Sequence, residues 1–270
     1  MFERSALQVA IVTASSKGIG RAIAEVLAEQ GYAVVVTSRD EQYARQVAGE
    51  IEARGGRALG LAFSLENEAD LEPLVERTVD AFGRLDVLVN NALAPHATTP
   101  PDKLSRQQIH SAFTANINHT FLLSTLAYPH LQRSRGSIVN IASVVVNRHL
   151  LGLPIYGVVK GAIVQMTKVL AAEWARDGIR VNAINPGFIR TEAFVKLGRD
   201  QAFIDRSYDY YKNYHALEKV GYPGDVAGVA AYLVSAAANM ITGAVIDVDG
   251  GYSIRGLPLY SEANSPSPGV

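Results

Sequence analysis

"VTASSKGIGRAIAEVL", residues 12–27, decides how the rest of the chain is read. It leaves a β-branched segment, passes a turn with glycines at 18 and 20, and enters a stretch whose apolar positions Ile19, Ile23, Val26 and Leu27 share one helical face. Such a turn, set between a strand and a helix, can hold a phosphate because the first N–H groups of the helix are unpaired and carry partial positive charge. Gly18 would let the backbone approach a pyrophosphate, and Gly20 would let the helix lie close to the sheet. The first bend departs from the usual pattern, since Ala14 follows Thr13 where a glycine is common. Alanine is tolerable there at negative φ, so Gly18 or Gly20 is expected to carry any left-handed backbone.

Outward from this turn, short β-branched runs alternate with helix-period segments. The strands are expected at Gln8–Thr13, Ala33–Thr37, Arg57–Ala62, Asp86–Asn90, Ser137–Ala142, Arg180–Ile184 and Ala244–Val248. Further helices are expected near 41–54, 67–82, 103–133, 155–177 and 223–237. Repeated βα alternation predicts an α/β fold, a doubly wound (Rossmann) seven-stranded parallel sheet with helices on both faces. One domain over 1–256 is expected, with a substrate lid at about 188–217 and a tail at 257–270.

Composition narrows the function. The chain has 270 residues and a net charge of −1, which supplies no field for nucleic acid or an anionic membrane. It has no cysteine, so a thiolate nucleophile and a cysteine metal site are excluded. The six histidines, His96, His110, His119, His130, His149 and His215, form no ligand motif, and no metal is expected. No signal peptide or membrane span is read, so the protein is expected in the cytoplasm.

"TASSKGIG" at 13–20, "NNA" at 90–92, "NIAS" at 140–143, "YGVVK" at 156–160, "NPG" at 185–187 and "VDGG" at 248–251 resemble, in order and spacing, the short-chain dehydrogenases/reductases from about residue 7 to 253. The resemblance implies a nicotinamide dinucleotide held by Thr13, Ser15, Ser16, Lys17, Gly18, Ile19, Gly20, Ser38, Arg39, Ser64, Leu65, Asn90, Ala92, Tyr156, Lys160, Pro186, Gly187, Ile189 and Thr191. It also implies a catalytic tetrad of Asn116, Ser143, Tyr156 and Lys160. Tyr156 and Lys160 are four apart and share a helix face. The ammonium is expected to favour the phenolate, making Tyr156 a usable general acid/base. By the same resemblance Ser143 holds the substrate oxygen, and the Asn116 carbonyl holds a water linked to the lysine.

In this family an acid ending the second strand selects NAD(H), whereas here the strand ends in Ser38 with Arg39 beside it and Lys17 in the loop. Two cations suit a 2′-phosphate, so NADP(H) is expected in preference to NAD(H). Two other positions depart from the family: Leu93 in "NNAL" for the usual glycine, and Ser64 for the aspartate that contacts the adenine. The expected activity is that of a carbonyl reductase or alcohol dehydrogenase on a small molecule. Ser143, Val145, Leu150, Phe188 and Tyr208 are expected to line the substrate site, while Arg148, His149 and His96 would meet oxygenated or acidic groups. The alternatives are an NAD(H)-dependent alcohol or sugar dehydrogenase and a non-enzymatic dinucleotide sensor. Enoyl reductases space their tyrosine and lysine more widely than the three intervening residues here. A homo-oligomer, tetramer or dimer, is expected through the helices near 103–133 and 155–177.

Overall fold

In β1 (Val9–Val12), Ala10 and Val12 enter one core and Ile11 the other. β2 (Ala33–Ser38) repeats this alternation, with Val34 and Val36 set against Val35. Neither face is left polar, so both require a helical cover. The strands β3 (Arg57–Ala62), β4 (Val87–Asn90), β5 (Ser137–Ile141), β6 (Arg180–Pro186) and β7 (Val245–Val248) complete a seven-stranded sheet. Its order is β3-β2-β1-β4-β5-β6-β7, and every pairing is parallel. The computed structural model describes residues 7–192 and 200–256; the tail at 257–270 and the lid residues 193–199 lie outside the described residues.

The helices are α1 (Gly18–Glu29), α2 (Glu41–Ala53), α3 (Leu71–Phe82), α4 (Arg106–Phe113), α5 (His119–Ser134), α6 (Pro154–Trp174), α7 (Gln201–Lys212) and α8 (Pro223–Val234). Helices α1, α2 and α8 cover one face through Ile23, Leu27, Val47, Ile51 and Val226. Helices α3, α5 and α6 cover the other through Leu71, Leu74, Leu123, Ile163 and Leu170. Each such buried side chain contributes roughly 1.5–3 kcal/mol. The chain winds outward from β1 to β3, then returns past β1 to begin β4. The loops after β1 and β4 therefore diverge, and a crevice opens at the C-terminal ends of those strands.

Two helices differ from expectation. The single helix expected over 103–133 is α4 and α5 joined by a π-helical turn, Thr114–Asn118. The last helix stops at Val234, because Ser235 turns extended and caps a short 3₁₀ turn that follows. Together with its 3₁₀ extension to Asp177, α6 is long and apolar enough to cross a membrane. Here Ile163, Met166, Leu170 and Ala171 pack it onto the sheet.

The glycine turn also corrects the sequence reading. Ala14 lies at φ +52°, in the left-handed region, as does Gly18 at +58°. Hydrogen bonds on both sides hold Ala14 there. Its N–H donates to Thr37 Oγ1 at 2.9 Å, and its carbonyl accepts from Asn91 Nδ2 at 3.2 Å. Ser15, wholly buried, then donates to the Val12 carbonyl and accepts from the Thr37 N–H. At Gly20 a Cβ would come within 2.5 Å of the Ala14 carbonyl, so that glycine serves close packing. An alanine in the left-handed region is strained by about 1–2 kcal/mol, against about 0.4–1 kcal/mol of unfolded-state entropy that a glycine adds. Ala14→Gly is therefore expected to stabilise the fold by roughly 0.5 kcal/mol, opposite in sign to the effect at negative φ. Urea unfolding showing a less stable variant would contradict this account.

Candidate active site

Buried asparagines tie together the strand ends around the crevice. Asn90 at the end of β4 donates to Asn140 Oδ1 at 2.8 Å, and Asn140 donates to Thr167 on α6 at 2.9 Å. Asn185 on β6 accepts from the Ser143 N–H at 3.2 Å and donates to Asp247 on β7 at 2.8 Å. The amides of "NNA", "NIAS" and "NPG" thus fix four strand ends relative to one another. Ser143 leaves β5 in an extended conformation, with its hydroxyl accepting from the Val145 N–H at 3.4 Å.

Pro154 opens α6, and Tyr156 and Lys160 follow one turn apart. The Lys160 Nζ donates to the Ile141 carbonyl at 2.7 Å and lies 5.7 Å from the centre of the Tyr156 ring. Burial lowers the pKa of Lys160 to about 8. It raises that of Tyr156, while a hydrogen bond with Ser143 pulls the phenol the other way. This corrects one expectation: desolvation dominates at Tyr156, and the lysine charge is not among the causes of its shift.

The Lys160 shift has a testable sign. A buried base with a lowered pKa binds fewer protons folded than unfolded, so its contribution to stability rises with pH from about 8 towards the ordinary 10.5. Between pH 8 and 10 the cofactor-free wild type should gain about 2 kcal/mol over Lys160→Met, read from chemical unfolding of both. A parallel pH dependence in the two proteins would mean that the lysine is solvated.

Asn116 sits in the π-turn. Its side chain accepts from the Ala94 N–H at 2.8 Å and donates to the Ala112 carbonyl at 2.9 Å, leaving its own carbonyl to Thr120 Oγ1 at 3.0 Å. A cavity lined by Asn90, Asn116, Ile141 and Lys160 gives a water-sized sphere's centre about 10 Å³, close to room for one water. The four tetrad residues therefore lie around one point, with Asn116 and Lys160 sharing that cavity.

The crevice fits a dinucleotide. No side chain caps α1 at Lys17, which leaves its first N–H groups open. A Cβ on Gly18 would stand 3.6 Å from the Thr191 methyl, so the segment after β6 faces the glycine turn. Pro186 ends β6, and the Gly187 N–H donates to the Val248 carbonyl. Ile189 bridges Gly221 in parallel, with the Phe188 carbonyl and Arg190 N–H as its links. The main-chain groups of Ile189 therefore point away from residue 221. Ser38 ends β2, and Arg39 reaches Glu66 at 3.6 Å while 71% exposed. Asp40, a rival for the ribose, instead caps α2 by accepting from the Gln42 N–H.

Some expected contacts are spent inside the protein. The Thr13 hydroxyl donates to Val89 and accepts from the N–H groups of Asn91 and Ala92; with Ser15, it shapes the loop and offers no free hydroxyl. The Asn90 amide is taken up by Ser124 and Asn140. Leu65 is buried, and its carbonyl accepts from His119 Nδ1 at 2.7 Å. Ser64 anchors its loop, its N–H donating to Asp70. Ser16 and Ile19 are half-buried at the turn, and Ala92 sits at the crevice edge.

On the substrate side, Val145 is buried and Leu150 half-buried on the segment after β5. Tyr208 requires a correction. It is 3% exposed, and its hydroxyl engages the main chain of Ile189 and Thr191, so its polar end is taken up by the segment after β6. Tyr211, three residues on, stacks on Phe188 at 3.8 Å. The helix period within "SYDYYKNYH" held that signal, since Tyr208 and Tyr211 both face inward. His96, expected among the residues that meet oxygenated groups, stacks its ring on Tyr156.

Residues 13–253 match the family model described as Enoyl-(Acyl carrier protein) reductase. The 7alpha-hydroxysteroid dehydrogenase of Clostridium sardiniense is 33% identical over 94% of this chain and 96% of its own. Glucose 1-dehydrogenase 2 of Bacillus subtilis (strain 168) is 35% identical over 92% and 95%. Among solved structures, a double mutant of a Serratia marcescens short-chain dehydrogenase/reductase superposes with a TM-score of 0.82 at 31% identity, covering 91% of this chain and 98% of that one. With this fold and these strand-end motifs, the chain belongs to the short-chain dehydrogenase/reductase family of oxidoreductases, which use nicotinamide dinucleotides.

Proposed function

We propose that this protein interconverts a carbonyl and a secondary alcohol with NADP(H), using Tyr156 as general acid/base. The observation that carries the reading is the meeting of Ser143, Tyr156 and buried Lys160 at the end of β5 and the start of α6. When bound, the nicotinamide supplies or accepts the hydride. In the reductive direction, Ser143 holds the carbonyl oxygen while Tyr156 donates its proton as charge develops there. A phenol kept protonated by burial is suited to that direction. Lys160 would hold the nicotinamide ribose on leaving the Ile141 carbonyl, and its ammonium, turned from that carbonyl, would then steady the phenolate left behind. A water in the small cavity shared by Asn116 and Lys160 would let the lysine pass on a proton. Gly18, Ile19 and Gly20 would hold the pyrophosphate, and the Ile189 main chain the carboxamide.

The NADP(H) preference rests on Arg39 and Lys17, with Asp40 withdrawn into a helix cap. The relatives act on a steroid and on glucose by their names, so the substrate class is open on that ground. We read the protein as a cytoplasmic homo-oligomer with one catalytic unit over 1–256. A panel of ketones, sugars and one enoyl thioester, followed by NADPH and NADH absorbance, tests the activity. Reduction of the enoyl thioester alone would replace carbonyl chemistry with the chemistry for which the family model is named.

A further inference from the structure

His119 opens α5 directly after the π-turn that carries Asn116, and its ring is buried. Its Nδ1 lies 2.7 Å from the carbonyl of Leu65, a residue 54 positions away in the chain. A carbonyl only accepts, so Nδ1 carries the proton of this bond. The Leu65 carbonyl and the Glu66 N–H belong to one planar peptide unit. That N–H donates to Ser64 Oγ at 3.3 Å, and the Ser64 N–H donates to Asp70 at 2.8 Å. His119 therefore holds one side of the peptide whose other side holds the Ser64 oxygen. A hydroxyl oxygen that accepts in this way can still donate its own proton to a ligand. The same loop borders the crevice where the ribose phosphate would lie, since Glu66 pairs with Arg39 beside the end of β2. Glu66 and His119 also line a cavity of about 350 Å³ together with Ala94, Thr114 and Ala115.

We propose that His119 is a positioning residue for the adenosine half of the cofactor: by clamping the Leu65 carbonyl it fixes the 64–66 loop and aims the Ser64 hydroxyl at the adenine. The inference rests on the dinucleotide reading and on the adenine contact proposed for Ser64. A hydroxyl rotates and makes a neutral hydrogen bond, weaker than that of the aspartate usual at this place. Its contribution therefore depends on how firmly its oxygen is held before the ligand arrives. The imidazole clamp from α5 supplies that firmness. Adenosine is common to NADPH and NADH, so this role is separate from that of Arg39, which concerns the 2′-phosphate alone. Asn116, three residues before His119, lines the small cavity shared with Lys160, so one turn of chain serves both ends of the cofactor.

The test is calorimetric titration with NADPH, NADH and ADP-ribose, which lacks the nicotinamide. His119→Met has no donor and should weaken all three ligands by the same factor, about three- to tenfold, raising KM for NADPH while kcat holds. His119→Gln, of the same length but with an amide donor, should recover most of the loss. Added to Ser64→Ala, His119→Met should weaken ADP-ribose by less than about a further twofold, because no hydroxyl is left to aim. A measurement on wild type needs no substitution. The Nδ1 proton of His119, followed by NMR, should exchange with solvent about threefold or more slowly once ADP-ribose saturates the protein, since a bond that favours the ligand is favoured by it equally. Unchanged ADP-ribose affinity in His119→Met, a loss confined to NADPH, a Gln variant as weak as Met, full additivity with Ser64→Ala, or an exchange rate that ADP-ribose leaves unaltered would overturn the proposal. Wild type that binds none of the three ligands would refute the dinucleotide reading and this inference with it. The expected ADP-ribose losses with no carbonyl reduced would sustain the assignment of His119 and refute the carbonyl chemistry.

Discussion

Tyr156→Phe is expected to lower kcat for carbonyl reduction by about 10²–10⁴-fold while NADPH affinity stays within about twofold. The phenol is the proton donor beside Ser143, since the Lys160 ammonium is turned to the Ile141 carbonyl, and no cysteine or metal motif offers a substitute. Removing one hydroxyl leaves the ring in place. The stacking of His96 and the packing of α6 then remain, and the folded structure should be little disturbed. The direction of the Tyr156 shift adds a pH signature. Burial raises its pKa, so the proton needed for reduction is retained through neutral pH and is lost only in the alkaline range. In wild type, kcat/KM for reduction should fall on the alkaline limb, and oxidation, which needs the phenolate, should rise there. Near-normal reduction by Tyr156→Phe, with thermal unfolding unchanged, would remove this residue from the mechanism.

The sheet was legible in the sequence because both of its faces are covered. A strand such as Ala33–Ser38 must then be apolar throughout, and a run of β-branched residues between helix-period segments is hard to read otherwise. Ser143, Tyr156 and Lys160 were expected from the family resemblance, and local geometry accounts for their meeting. Tyr156 and Lys160 lie one helical turn apart, and Ser143 follows directly from a core strand. Helix and strand geometry therefore fix most of their placement. What resisted reading depends on partners distant in sequence. The left-handed Ala14 is held by Thr37 and Asn91, 23 and 77 residues away, and no local propensity announces such a tie. Thr13, Ser15 and Asn90 lie beside the crevice in sequence, yet their polar groups are consumed by β2, β4 and β5. Tyr208 and Tyr211 face the same segment after β6, yet one hydrogen-bonds its main chain at Thr191 and the other stacks on Phe188. Proximity to a motif was readable; where each hydrogen bond ends was not.

On the proposed reading, cofactor choice turns on one exposed side chain, and energies that a motif does not carry would decide it. Arg39 stands beside the end of β2 and is paired with Glu66 only at 3.6 Å, with the two side chains 71% and 48% exposed. An exposed pair of that kind contributes little and holds the guanidinium loosely. A 2′-phosphate carries up to two charges and matches the planar fork, so it should displace Glu66 and gain on the order of 1.5–3 kcal/mol. Arg39→Ala should therefore weaken NADPH binding by roughly 10- to 100-fold and leave NADH, with a hydroxyl at that place, nearly unchanged. Lys17→Ala should act in the same direction with a smaller effect, because an ammonium on a flexible stem is a looser partner. Ser38→Asp should reverse the preference by repelling the phosphate and accepting from the ribose hydroxyls. Asp40 caps α2 through one carboxylate oxygen, which accepts from the Gln42 N–H. Raising ionic strength should narrow the gap between the cofactors in wild type and act less on Arg39→Ala, in which only Lys17 remains to be screened. The measurement is Kd for both cofactors by fluorescence, alongside kcat/KM for each. If wild type binds NADH more tightly, or if Arg39→Ala weakens both cofactors equally, the guanidinium is a surface charge and the NADP(H) assignment falls.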